Sequence, residues 1–259
     1  MSASANAGYA RQRNIILATL IAFAAACWAA LALEAQRADM ALMMSATMGM
    51  TAPLFLAFWI VMMAAMMFPA AAPMVLTFAS IQSSRQKQGE GYTPTFVFVA
   101  GYMAVWTVAG VAAYAGAVAG DALARWGAWS AWAVARWGGA MLILAGLYQL
   151  TPLKSVCLSK CQSPISFIMT SWRDGAGGAW RMGVKHGLYC LGCCWPLFVI
   201  LFPLGMMNLW AMAILTIVIV AERTRAWGRE IARAASAALI LYGGAVLIEP
   251  TLLPTFMDM

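Results

Sequence analysis

The chain has 259 residues, 64% of them hydrophobic and only 10% charged, with a mean hydropathy of +0.80. Soluble domains are roughly 25% charged, and no water-soluble fold could cover so much apolar surface. The net charge of +7 does not point to nucleic acid, because the basic residues form no patch and fall between apolar stretches.

What remains is an all-α polytopic transmembrane helical bundle, with the lipid bilayer as its surroundings. Each crossing needs about 20 apolar residues to span a ~30 Å hydrocarbon core. About seven such spans are predicted, at 15–33, 53–79, 94–119, 131–151, 180–203, 207–222 and 231–249, in a single membrane domain over 1–259. With the N-terminus inside, the inner segments carry Arg11, Arg13, Arg85, Lys87, Lys154, Lys160, Arg173, Arg181, Lys185, Arg223, Arg225, Arg229 and Arg233. Only Arg37, Arg125 and Arg136 remain outside. This is the positive-inside pattern of an N-in/C-out chain, and a bacterial inner (cytoplasmic) membrane is the expected location.

Taken in order, the first span follows Arg11 and Arg13 and ends near Ala30-Leu31-Ala32, features shared with a cleaved signal peptide that would leave six spans. Its apolar run, about 19 residues, exceeds the usual h-region, so an uncleaved span is favoured. Cys27 reads as a small buried hydrophobe. An outer segment with Met40, Met43, Met44, Met48 and Met50 follows.

Span two carries Met62, Met63, Met66 and Met67, two i,i+4 pairs on neighbouring stripes. Pro69 and Pro73 should kink it, with other groups meeting the freed carbonyls. These methionines are candidates for a metal relay, against the plainer reading as gap fillers. Spans three and four read as scaffold, with Trp126, Trp129, Trp132 and Trp137 as an interfacial belt.

The inner connection 151–179 holds a CxxxC pair, Cys157 and Cys161. An apolar piece at 164–173 follows, too short to cross and therefore re-entrant or interfacial. Span five then brings the chain's one histidine together with three of its six cysteines. His186, Cys190 and Cys194 fall on one helical stripe, with Cys193 on the next. Successive ligands rise ~6 Å per turn, too far for one ion to take His186 and Cys194 together, so further ligands must come from elsewhere. Cys157, Cys161 and the span-two methionines are available. Thiolate, thioether and imidazole select copper(I) first and zinc second. An ionisable group and a vicinal cysteine pair within a span point to function rather than filler.

Gly183 and Gly187 should let another helix approach closely, and Pro196 should unwind the middle of span five. Glu222, beside Arg223 and Arg225, reads as a snorkelling pair at the inner interface.

The residues from Trp59 to Tyr242 resemble a family of predicted metal-binding integral membrane proteins. The resemblance rests on Trp59 through Met67-Phe68-Pro69, Lys154 with Cys157 and Cys161, and Gly187-Leu188-Tyr189-Cys190-Leu191-Gly192-Cys193-Cys194-Trp195. Gly205-Met206-Met207-Asn208 and Glu222-Arg223 extend it. The Tyr-Cys-x-Gly-Cys-Cys-Trp run is its most specific part. It implies metal binding without an established activity.

Three functions compete. The first is transport or delivery of Cu(I) along a ladder from the outer methionines to Cys157 and Cys161, with a copper chaperone or a membrane oxidase complex as partner. The second is a membrane thiol oxidoreductase or metalloenzyme, although no catalytic residue can be assigned. The third is an accessory or assembly subunit of a metallo-oxidase.

Overall fold

The computed structural model describes residues 3–37, 47–224 and 227–256, with side chains from Arg11 onward. Met40, Met43, Met44 and Arg225 lie outside the described residues. Within them the regular structure is entirely helical: α1 Ala3–Arg37, α2 Ala52–Lys87, α3 Thr95–Trp126, α4 Ala131–Gln149, α5 Pro152–Gln162, α6 Pro164–Ser171, α7 Gly175–Val199, α8 Leu201–Leu204, α9 Leu209–Thr224 and α10 Gly228–Ile248, with a final 3-10 turn Pro250–Leu252.

Among the described residues six helices are long and apolar enough to cross a membrane: Arg11–Arg37, Ala52–Lys87, Thr95–Trp126, Ala131–Gln149, Gly175–Leu204 and Gly228–Ile248. The stretch expected to supply another, 207–222, becomes α9 with 16 residues, a rise of ~24 Å against a hydrocarbon core of ~30 Å. Its late start has a local cause. Gly205, at φ +90°, turns the chain, and Asn208 caps the helix by accepting the Ala211 N–H at 3.1 Å.

The connection after α4 also departs from expectation, because its first part is the helix α5. Thr151 starts it, accepting the Lys154 N–H at 3.3 Å, with Pro152 at the tolerated first position. The apolar piece beyond forms α6, eight residues long, burying Phe167 and Ile168 and exposing Ile165 and Met169.

Two of the helix prolines, Pro69 and Pro196, cost little, because the carbonyl four residues back finds a donor. Pro69 frees Ala65 O, which accepts from Trp28 Nε1 at 3.2 Å. Pro196 frees Gly192 O, which accepts from the Tyr148 hydroxyl. Pro196 therefore does not unwind α7, which runs on to Val199. Replacing Tyr148 by phenylalanine should lower stability by about 1–2 kcal/mol, the cost of an unmet buried carbonyl. Unfolding in mixed detergent micelles measures it.

Small residues join the helices. A Cβ on Gly183 would collide with the Phe98 carbonyl, and one on Gly187 would lie 2.9 Å from Val105, so α3 and α7 touch along their backbones. Gly139 and Gly243 play the same part between α4 and α10, where Ser236 also donates to Gly146 O at 2.7 Å. At the end expected to face inward, Arg85 bridges Glu90 and Asp174, each at 2.8 Å, and lies over Trp172. At the other end Thr255 donates to Pro203 O at 2.7 Å.

Candidate metal centre

Three helices build the thiol cluster. On α7, Cys190, Cys193 and Cys194 are each at most 1% exposed. The Cys193 and Cys194 thiols lean back on the Cys190 carbonyl, at 3.2 and 2.8 Å. From α3 the Tyr102 hydroxyl meets Cys190 Sγ at 3.0 Å. From α5 Cys161 lies beside Cys193, near enough for the two side chains to perturb each other. The neighbouring Cys193 side chain and burial hold the Cys161 thiol well above its ordinary pKa, while burial raises Cys157.

Gly192 admits α5 to this depth. A Cβ there would sit 2.8 Å from Cys157 Sγ. All six cysteines are free thiols.

The sequence reading missed the group at the centre. Arg223, in the last turn of α9, is 6% exposed. Its Nη2 lies 2.8 Å from Cys190 Sγ, 3.2 Å from Cys193 Sγ and 3.7 Å from Cys194 Sγ. Its Nε and Nη1 are buried without a hydrogen-bond partner.

The preceding residue, Glu222, faces the other way, since neighbours on a helix point about 100° apart. It is 2% exposed. Its carboxylate takes Lys154 Nζ at 2.7 and 2.9 Å, and its carbonyl accepts from Gln162 Nε2 at 2.6 Å. Gln149 also accepts from Lys154. The expectation of a snorkelling Glu222–Arg223 pair is thus corrected. Both side chains are internal, as is Lys154, where α5 packs on α7 and across the end of α9. Lys185 plays no part in this network and donates instead to Ser171 at 2.9 Å.

His186 lies one turn before Cys190 but belongs to a different environment. It is 1% exposed and surrounded by Phe98, Tyr102 and Phe167, with ring centroids 6.0, 5.5 and 5.6 Å away. Neither ring nitrogen has a hydrogen-bond partner. Met62, Met63, Met66 and Met67 are fully buried in the core that also holds the thiols. Met48 is buried and Met50 half-buried against the same core.

Among the described residues no three His, Cys, Asp or Glu side chains stand as a group that could hold a metal ion, so a tetrahedral zinc-type set is not assembled. The donors that do converge are soft. Cys190 and Cys193 share one guanidinium nitrogen, and Cys161 adjoins Cys193. Such a pair of sulfurs suits an ion content with few ligands.

A family profile described as PpoB2: Copper chaperone matches residues 56–246, from α2 to α10 and across the whole thiol cluster. No curated protein and no solved structure matches the chain.

Proposed function

Because this chain belongs to the PpoB2 copper chaperone family, we propose that it is an integral membrane protein that holds copper as Cu(I) and passes it on through thiol exchange. The observation that carries the reading is the convergence of the Cys190 and Cys193 sulfurs on one buried point beside Arg223, with Cys161 of α5 next to Cys193. Thiolates select Cu(I) over harder ions. Zinc, the second choice, would need a fuller ligand set than these residues offer.

Cys190 and Cys193 hold the ion, and Cys193, common to both pairs, hands it to Cys161 on α5. Cys194 and Cys157 are reserve ligands flanking this row. His186, with two free nitrogens one turn away, and the span-two methionines are the waiting positions on the approach, continued outward by Met48 and Met50 and by Met43 and Met44. Weak successive ligands let an ion enter and leave. The route runs in a bacterial cytoplasmic membrane with the N-terminus inside, so that α5 delivers on the cytoplasmic side to a soluble copper chaperone or a membrane oxidase.

Anaerobic elemental analysis of detergent-purified protein tests this, with copper and zinc both supplied. Wild type should retain copper near one ion per chain, and Cys190→Ser and Cys193→Ser should each lose most of it, the 10- to 100-fold or larger effect of removing a metal-site residue (about that scale). Metal-free wild type, or unchanged copper in both variants, would reject the reading.

A further inference from the structure

Resting on the copper reading above, we propose that Arg223 is the fixed counter-cation of the thiol site, limiting it to one monovalent soft ion on two thiolates. The argument is one of charge. The buried charged side chains among the described residues are Lys154, Glu222 and Arg223. Glu222 is committed to Lys154 at 2.7 Å, so that pair is neutral. Arg223 is left with no carboxylate, and its Nη2 rests instead on the sulfurs of Cys190 and Cys193.

An unpaired guanidinium inside a protein is costly, and arginine keeps its charge in proteins. The interior therefore carries one positive charge that the site's cargo must balance. A Cu(I) ion on two thiolates has net charge −1. It forms as the ion displaces the two thiol protons to solvent, with no change of oxidation state, and it leaves the cavity neutral beside Arg223.

A divalent ion on the same two thiolates is neutral and leaves the positive charge uncompensated. Cu(I) on three thiolates carries −2 and overshoots. The charge thus sets both the valence of the ion and the number of sulfurs. The orphaned Nε and Nη1 are spare donors that let the guanidinium turn toward the sulfur bearing the charge as the ion moves from Cys190 and Cys193 to Cys193 and Cys161.

The test uses purified full-length protein loaded anaerobically with Cu(I) alone or Zn(II) alone, each in competition with a chromophoric chelator. X-ray absorption at the copper edge counts the sulfurs. Wild type should show two sulfurs per copper. Arg223→Gln should bind Cu(I) about 10- to 100-fold more weakly, the usual effect of losing a group that supports metal ligands, while Zn(II) affinity holds or rises. Arg223→Lys, which keeps the charge, should recover most of the Cu(I) affinity.

Unchanged Cu(I) affinity in Arg223→Gln, an equal loss in Arg223→Lys, or three sulfurs per copper in wild type would each overturn the proposal. The sulfur count is made on wild type, so it decides even where the glutamine variant does not fold. Wild type that takes up no copper at all would instead reject the function proposed above.

Discussion

Lys154→Met is expected to destabilise the protein by about 3–5 kcal/mol, because it leaves a carboxylate buried without its partner. Lys154 is 1% exposed and Glu222 2%, so the carboxylate is stranded in the interior. Glu222→Met should cost a similar amount by stranding the ammonium. The double variant should recover most of the loss, since two apolar side chains of similar volume need no partner. Unfolding of all four proteins in mixed detergent micelles closes the cycle, and additive losses in the double variant would show that the pair acts through something other than its mutual charge.

The same variants read out the thiol site. Glu222 and Arg223 are adjacent, and in Lys154→Met the freed carboxylate becomes the nearest anion able to draw the guanidinium from Cys190 and Cys193. Copper retention should therefore fall in Lys154→Met and return in the double variant, where no freed carboxylate competes for Arg223.

Gly183→Val should be worse for folding than any single loss of a polar contact. Its Cβ would overlap the Phe98 carbonyl oxygen, a backbone atom that cannot rotate away, and would also crowd the Tyr102 amide. The α3–α7 contact would have to open, moving Tyr102 away from Cys190. Overpacking of this kind typically costs about 1–3 kcal/mol where side chains can adjust, and here backbone must move. The expected outcome is little folded protein on size-exclusion chromatography, whereas Gly116→Val, which meets nothing within 4 Å, should behave as wild type.

Several features of this molecule were legible one residue at a time. The near-uncharged stretches pointed to helices long and apolar enough to cross a membrane, since a helix satisfies its own backbone groups without water. The span-five histidine and cysteines stood out because soft ligands clustered at helical spacing are expensive as filler. The Gly183/Gly187 pair announced a close helix contact before its partner, α3, was known.

The counter-charges were not legible in that way. Lys154 and Arg223 lie beside span ends in the sequence, where basic residues are ordinarily solvated, and although both fall in the stretches that carry the family resemblance, charge and position alone do not set them apart from Lys160 or Arg229. Their burial follows from α5, a helix of 11 residues that read as a loop because it is too short and too polar to cross. Once it packs on α7 through Cys157 and Gly192 and across the end of α9, the charges beneath it must find partners inside the protein.

Likewise His186 and Cys190 looked like members of one ligand stripe, yet aromatic rings from α3 and α6 surround the histidine while Arg223 holds the sulfurs. By itself the sequence determined the helical class and singled out the helix with the densest soft ligands, because period and composition are properties of single segments. Which sulfurs converge, and which charge they answer to, was decided only by the tertiary structure, because a charge balance is a property of residues brought together from α5, α7 and α9.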